Sequence, residues 1–259
     1  MLRNLCSISE VNCLQPEHIT SIRNPLLQHI RKLQSSRSYR ESSREFVADG
    51  WKLFDEALKW DPLLKTVILA EGETCPEIPE NVRLVQVPAS LMQSLSTMKT
   101  PQGILFTCAF PQQETAKLQP GMLVLDRIQD PGNLGTILRT ADAFDVPVVL
   151  TNGCADPFSE KTIRASMGAV FRTPPVSICL EELLKTEVPV AALALSETAC
   201  DIEMVNLKNF LVVIGSEGQG ICRELLNKAA QHVIIPMTPR CESLNAGIAA
   251  AIAMWQLRK

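Results

Sequence analysis

Residues 126–144 read DRIQDPGNLGTILRTADAF, and this stretch decides the fold. An apolar run typical of a β-strand precedes it, and apolar residues at helical spacing fill its second half. The tetrapeptide Asp130–Asn133 between them is a turn signature. The pattern therefore predicts a strand, a polar turn and a helix, with Asn133 and Arg139 held near the end of the strand.

Two later stretches repeat this arrangement of an apolar strand next to a polar turn. The loop GSEGQG at 215–220 follows the apolar run VVI, and IPM at 235–237 precedes ESLN at 242–245. In an open parallel sheet, ligands bind beyond the carboxyl ends of the strands, where all these turns fall. The turns are therefore expected to form one composite site.

Strand and helix patterns alternate along most of the chain. Downstream of residue 121, strands are predicted at 122–125, 146–151, 188–195, 210–214 and 233–236, and helices at 134–144, 159–167, 222–230 and 243–257. These strands are continuously apolar, which is typical of a parallel sheet covered on both faces. A small α/β module is predicted upstream. The predicted domains are an extension at 1–18, this module at 19–110, a Pro-containing linker at 111–121 and a second α/β domain at 122–259.

Bulk properties exclude several classes of protein. The net charge of -3 over 259 residues gives no overall attraction to polyanions, so any nucleic-acid surface has to be local. The nine cysteines are odd in number and form no Cys-x-x-Cys pair, which indicates reduced intracellular thiols and no metal site. The apolar runs are shorter than the ~20 residues of a membrane span. We expect an intracellular protein, in the cytoplasm or an organelle.

One local stretch is clearly basic. Segment 19–44 carries Arg23, Arg31, Lys32, Arg37, Arg40 and Arg44. Such a patch binds phosphates through counterion release, whereas a solvated helix face is the simpler interpretation of the same charges. The residues alone leave both interpretations open.

Each polar turn also has a purely structural interpretation. Asn133 and Ser243 are residue types that cap helices, and Glu217 suits a helix N-terminus. Arg139 can be a solvated surface residue or a clamp on a phosphate or ribose, and its apolar neighbours and Asn133 favour the clamp at least equally. The 215–220 loop has neither the G-x-G-x-x-G order nor the terminal Gly-Lys-Ser/Thr of phosphate-binding loops, which argues against an oxidoreductase or another enzyme that binds NAD or ATP.

Taken together, residues 126–139, 214–220 and 235–245 resemble the three ordered motifs of the SpoU/TrmH family of RNA methyltransferases. The resemblance spans 122–257, and residues 19–110 are similar to the family's substrate-binding domain. It implies a SPOUT-type α/β domain with a parallel sheet and a C-terminal trefoil knot. It also implies an S-adenosyl-L-methionine (AdoMet) cofactor and a homodimer with the site near the subunit interface.

By motif position, the resemblance implies a site residue by residue. AdoMet would be held by Gly215, Ile235, Met237 and Leu244. The polar catalytic set would be Asn133, Arg139, Glu217, Ser243 and Asn245. We expect Arg139 to meet the RNA phosphate and the target hydroxyl, with the hydroxyl proton leaving to water or to Glu217. No metal is needed for this chemistry.

The chain departs from the family pattern at two positions. Pro239 stands where the family usually has glycine two residues after the methionine of the third motif, so the path of that loop is in doubt. Asp145 stands where a glycine often follows the first-motif helix. The polar set itself is intact.

The function that the resemblance implies is methyl transfer from AdoMet to a ribose 2'-hydroxyl of structured RNA, with rRNA favoured over tRNA. RNA is favoured over DNA because the acceptor is a 2'-hydroxyl. The alternative is a non-catalytic RNA-binding or ribosome assembly factor that keeps the AdoMet pocket.

Overall fold

The structure is a computed structural model that describes residues 15–60, 63–74, 76–112, 117–196, 198–241 and 243–258. Most of the predicted N-terminal extension, part of the predicted linker, Glu242 of the third motif and three of the cysteines (Cys6, Cys13 and Cys75) lie outside the described residues.

The first part of the chain forms a mixed sheet with helices. Its elements are β1 (Glu17–His18), α1 (Pro25–Ser35), α2 (Arg37–Ser43), β2 (Glu45–Asp49), α3 (Trp51–Trp60), β3 (Leu64–Ala70), β4 (Arg83–Val87), α4 (Ala89–Leu95) and β5 (Ile104–Ala109). The strand order is β1-β4-β3-β5-β2. β1, β4 and β3 are mutually parallel, whereas β5 runs antiparallel to both β3 and β2.

The second part forms a parallel sheet. Its elements are β6 (Leu123–Asp126), α5 (Pro131–Phe144), β7 (Val148–Leu150), α6 (Glu160–Ser166), α7 (Ala169–Arg172), β8 (Val176–Ser177), α8 (Leu180–Lys185), β9 (Val190–Leu193), β10 (Cys200–Asp201), β11 (Leu211–Gly215), α9 (Arg223–Lys228), β12 (Gln231–Ile234) and α10 (Ala246–Arg258). The strand order is β10-β12-β9-β11-β6-β7-β8. Every described strand pair of this sheet is parallel, which confirms the predicted α/β class.

Side chains at both ends of α5 explain where this helix begins and ends. The Asp130 carboxylate accepts a hydrogen bond from the Asn133 N–H at 2.8 Å, and Pro131 occupies the first helical turn. The capping interpretation of Asn133 is therefore wrong, because Asp130 caps the helix. Asp145 ends the helix with a φ of 55°, a left-handed conformation that glycine adopts freely and aspartate tolerates. This explains the glycine of the family pattern at that position.

The two sheets are packed together through aromatic side chains and one buried ion pair. The ring of Phe46 in β2 stacks on that of Phe158, with centroids 4.9 Å apart, and also contacts Phe171 of α7. Arg40 of α2 reaches across to Asp156, with Nη2 and Oδ2 separated by 2.6 Å. The proposed domain boundaries stay predictions, but the two units share a hydrophobic core.

The last helix, α10, is apolar around most of its circumference. Its inner side buries Gly247, Ala250 and Ala253, while Ile248 and Trp255 are more than half exposed. A helix that is apolar on all sides usually has neighbours on all sides. Among the described residues, no helix has both the length and the apolar character to cross a membrane. The trefoil knot stays a prediction.

Candidate active site

The three polar turns meet in one hydrogen-bonded cluster at the carboxyl ends of β6 and β11. Oε1 of Glu217 accepts hydrogen bonds from Asn133 Nδ2 at 2.8 Å, Asn245 Nδ2 at 2.6 Å and the Ala246 N–H at 3.0 Å. Asn245 Nδ2 also donates to Asn133 Oδ1 at 3.1 Å. Residues that are far apart in the sequence are thereby fixed in one place. The predicted composite arrangement of Asn133, Glu217 and Asn245 is present in the structure.

Asn245 has a second role at the start of α10. Its Oδ1 accepts from the N–H groups of Gly247 and Ile248, at 3.0 and 3.4 Å. These are among the N–H groups that a helix start leaves without a partner. The capping interpretation of Ser243 is therefore not needed, since Asn245 takes that role. Ser243 instead lines the adjacent cavity.

That cavity, which we call the cofactor cavity, has a volume of about 370 Å³. It lies between the glycine loop, the end of β9 and the third-motif loop. The residues implied to hold AdoMet all line it, together with Glu217 and Ser243: Gly215, Ile235, Met237 and Leu244. Ligand pockets of this kind are mostly apolar with a few polar groups, and this lining fits that description.

The glycine loop folds back on itself, and this explains Gly215. Gly220 N–H donates to the Ser216 carbonyl at 2.9 Å, closing the loop. A Cβ added at Gly215 would lie 2.2 Å from the Gly220 carbonyl carbon and 2.3 Å from the Ile221 nitrogen. A glycine is thus required at position 215, because the backbone of Gly220 and Ile221 leaves no room for a Cβ. Gly218, at the tip, has nothing within 4 Å of an added Cβ.

Pro239 fits the third-motif loop as the structure has it. The Cys241 N–H donates to the Thr238 carbonyl at 3.0 Å, so residues 238–241 form a turn with Pro239 at its second position. Proline is favoured there because its fixed φ suits the turn. The departure from the family's glycine is therefore compatible with a closed loop, and Met237 still lines the cofactor cavity.

A second, more polar cavity of about 380 Å³ lies on the other side of the glycine loop, and we call it the polar cleft. Its lining includes Gln129, Asp130, Asn133 and Glu217. The Asn133 N–H, followed by the ammonium of Lys161, holds the pKa of the Asp130 carboxyl below its usual range. Ser216, Glu217 and Gln219 line both this cleft and the cofactor cavity, so the glycine loop is a shared wall between them.

Arg139 does not join the polar cluster within one chain. It is exposed, lines neither cavity and forms no ion pair or hydrogen bond with any described residue. The reason is helix geometry, since six residues advance an α-helix by about 9 Å and rotate it by about 240°. The expectation that its side chain returns to the strand end is not met in this chain.

The basic segment divides into one buried arginine and several exposed cations. Arg40 is 5% exposed and held by Asp156 and by the Leu33 carbonyl, so its assignment to RNA binding is wrong. Its partner lies 116 residues away, which no local pattern shows. The remaining predicted RNA-binding residues are exposed: Arg23, Arg31, Lys32, Arg37 and Arg44.

Sequence reasoning missed several residues that build the site. The end of β9, Leu193 to Leu195, forms one wall of the cofactor cavity. Asp126 at the end of β6 is buried, and its Oδ2 accepts from the Cys222 N–H at 2.7 Å. Both the end of β9 and Asp126 could have been found from the rule that ligands bind at the carboxyl ends of parallel strands. Among the described residues, no group of His, Cys, Asp and Glu side chains is arranged to hold a metal ion.

Comparison with known proteins defines the class of this one. Residues 120–255 match the model of the SpoU rRNA methylase family, and residues 24–105 match that of the MRM3-like substrate binding domain. Together with the parallel sheet and its strand-end cavity, these matches define an AdoMet-dependent RNA methyltransferase. The chain belongs to the SpoU rRNA methylase family, which confirms the resemblance of its motifs.

Individual relatives and solved structures agree with this membership. The 23S rRNA (guanosine(2553)-2'-O)-methyltransferase RlmP of Bacillus subtilis is 32% identical over 248 residues, covering 93% of this chain and 99% of the relative. The human mitochondrial rRNA methyltransferase 3 is 27% identical, covering 89% and 71% of the two chains. An AdoMet-bound rRNA methyltransferase structure from Sinorhizobium meliloti has a TM-score of 0.82 and 29% identity, covering 93% and 97%.

Proposed function

We propose that this protein transfers a methyl group from AdoMet to a ribose 2'-hydroxyl of ribosomal RNA. The observation that carries the proposal is the cluster of Asn133, Glu217 and Asn245, which closes between the cofactor cavity and the polar cleft. Relatives along nearly the whole chain are named as rRNA methyltransferases, one of them specifically as a 2'-O enzyme. We expect the protein to act where ribosomal RNA is found, in the cytoplasm or an organelle.

The cofactor cavity fits AdoMet in size and chemistry. Its volume is within the range of small-molecule sites, and the open space beside Gly220 leaves its peptide groups free to approach a ligand. Ile235, Leu244 and Met237 supply apolar surface for the nucleoside. When bound, AdoMet supplies an electrophilic methyl group on a sulfonium. The protein's own task is to align the ribose hydroxyl and to receive its proton.

Glu217 is the residue that we assign to this proton. Its Oε1 is fully occupied by three N–H donors, which fix the orientation of the carboxylate. Among the described residues, no donor engages Oε2. This oxygen is therefore the acceptor that remains for the hydroxyl of a ribose bound in the polar cleft, while Asn133, Asn245 and Ser243 fix the geometry.

We infer a homodimer, because it accounts for two features that the described residues show in a single copy. The outer face of α10 exposes Ile248 and Trp255, and Arg139 projects from α5, the helix packed along α10. Pairing two copies through this face buries the apolar side chains. It also brings Arg139 of one copy toward the site of the other, where its guanidinium would meet the RNA phosphate.

The substrate surface of the N-terminal unit is then the exposed part of its basic segment. Arg23, Arg31, Lys32, Arg37 and Arg44 supply the charge for phosphate contacts, without Arg40. Arg44 stacks on Phe110, with 4.9 Å between the guanidinium carbon and the ring centroid, so its orientation is set before RNA binds.

The test is methyl transfer from labelled AdoMet to rRNA by the purified protein and by a matched pair of variants. Glu217→Gln should lower transfer by about 100-fold or more, the scale of a lost proton acceptor, and leave AdoMet binding nearly unchanged. Glu224→Gln, an exposed glutamate on α9, is the control and should transfer normally. Wild-type protein that binds AdoMet yet methylates no rRNA would favour the alternative of a non-catalytic assembly factor.

A further inference from the structure

Arg127 has an unfavourable backbone conformation directly after β6, an interior strand of the second sheet. Its φ is 56°, in the left-handed region, where an arginine costs about 1 kcal/mol or more relative to glycine. Such a conformation persists only where the surrounding contacts impose it. The side chain is 30% exposed, so the residue is neither a core residue nor a free surface one.

The contacts of Arg127 lead to the glycine loop. Its Nη1 donates to Gln219 Oε1 at 3.0 Å, and its Nη2 lies 3.4 Å from the Gly220 carbonyl oxygen. Its Nε and Nη2 lie 3.4 Å from Oδ2 of buried Asp126, which also accepts from the Cys222 N–H. Asp126 and Arg127 together therefore tie the far end of the glycine loop to the end of β6.

Gln219 and Gly220 both line the cofactor cavity, and Gln219 also lines the polar cleft. Their position therefore shapes one wall of the cofactor cavity. Gly153 packs against the stem of Arg127 from the other side, because a Cβ there would lie 3.1 Å from Arg127 Cγ. The stem of Arg127 is thus confined from the β7 side, while its guanidinium contacts the loop.

We propose that Arg127 is a positioning residue that holds the glycine loop in the conformation that accepts AdoMet. It acts through Gln219 and the Gly220 carbonyl and does not touch RNA. The inference rests on the assignment of the cofactor cavity to AdoMet made above. Arg127 thereby joins the residues that serve the reaction, and its effect is on the affinity for AdoMet.

The expected effect follows from the contacts. A hydrogen bond to a charged donor is typically worth about ten-fold or more in an equilibrium, and partial exposure reduces that value. Arg127→Ala should therefore weaken AdoMet binding about 5- to 10-fold, raise the KM for AdoMet to match and leave kcat at saturating AdoMet nearly unchanged. Arg127→Lys, which keeps the charge and a donor, should recover part of the affinity.

Arg127→Gly separates a positioning role from a structural one. Glycine adopts the left-handed conformation without strain, so this variant should be more thermally stable than Arg127→Ala, which loses the same contacts and keeps the strain. It should nevertheless bind AdoMet as weakly as Arg127→Ala. A residue that served only to stabilise the fold would not give this combination.

The experiment is calorimetric titration of AdoMet, without RNA, into wild type, Arg127→Ala, Arg127→Lys, Arg127→Gly, Gln219→Ala and the Arg127→Ala/Gln219→Ala double variant. If Arg127 acts through Gln219, the double variant should bind about as weakly as Arg127→Ala alone. Arg83→Ala, which removes an exposed ion pair with Glu17, is the control and should bind normally.

Two results would overturn the inference: unchanged AdoMet affinity in Arg127→Ala and Arg127→Gly, or losses that simply add in the double variant. A wild-type protein that fails to bind AdoMet would instead refute the assignment of the cavity.

Discussion

Replacing Gly215 by alanine tests whether the glycine loop has to fold back on itself to form the cofactor cavity. The added Cβ would lie 2.2 Å from the Gly220 carbonyl carbon, whereas ordinary contact begins at 3.4 Å. The opposing atoms belong to the backbone, so no side chain can rotate away. The loop has to move by about 1.2 Å, which is the difference between these two distances.

This displacement should lower both the stability of the fold and the affinity for AdoMet. Overpacking of this kind costs about 1–3 kcal/mol, which corresponds to a drop of roughly 2–10 °C in Tm for a chain of this size. Because Gly215 and Gly220 line the cofactor cavity, we expect Gly215→Ala to weaken AdoMet binding by at least about ten-fold, or 1.4 kcal/mol.

Gly218→Ala is the matched control in the same loop. An alanine there meets nothing within 4 Å, and Gly218 is not in the left-handed region. Its Tm and its AdoMet affinity, measured by thermal unfolding and by calorimetric titration, should stay close to those of the wild type. Unchanged Tm and affinity in Gly215→Ala would show that the loop does not close as described.

Three further predictions concern stability. Gly135→Ala should destabilise the protein by about 1–3 kcal/mol in urea denaturation, because its Cβ would lie 2.4 Å from a side chain of α6. Arg40→Ala should lower the free energy of unfolding by about 3–5 kcal/mol, because it leaves the Asp156 carboxylate buried without its arginine. Arg83→Ala breaks an exposed ion pair and should lower it by about 1 kcal/mol or less. Equal losses of unfolding free energy in the two variants would contradict the buried role of Arg40. Burial raises the pKa of Glu160 above its usual 4.5, so the folded state holds this proton more tightly and stability falls as pH rises past 4.5. Glu160→Gln should remove this part of the dependence of unfolding free energy on pH between about pH 4 and 8. An unchanged slope of unfolding free energy against pH would refute this role of Glu160.

The strands and their turns were predictable from the sequence because the relevant signals are local. A continuous apolar run followed by a polar turn marks the end of a parallel strand, and the turns after β6 and β11 do meet in space. Helix starts were off by up to three residues. The prediction began α5 at Leu134 and α10 at Ser243, whereas the Asp130 and Asn245 side chains start them at Pro131 and Ala246.

Other parts of the site were not predictable because they depend on contacts across the fold. Arg40 sits in a basic run that looks solvated, and only the packing of α2 on the second sheet buries it against Asp156. Arg139 follows Asn133 closely in the sequence, yet the helical rotation carries it away from the cluster. Arg127 has an unusual φ that its residue type conceals, because the glycine that would signal such a position is absent.

The sharing of one loop by two cavities limits how the site can vary. Three N–H donors fix the Glu217 side chain, which lines both cavities, while Gly215 and Gly220 at the base of the same loop shape the cofactor cavity. A loop this short cannot shift at one wall without shifting at the other. Changes that widen the cofactor cavity therefore also move the carboxylate that we assign to the ribose hydroxyl, so cofactor affinity and alignment of the acceptor have to be maintained by the same backbone. This accounts for a loop in which the glycine at its base is fixed by backbone contact while the one at its tip is open to solvent.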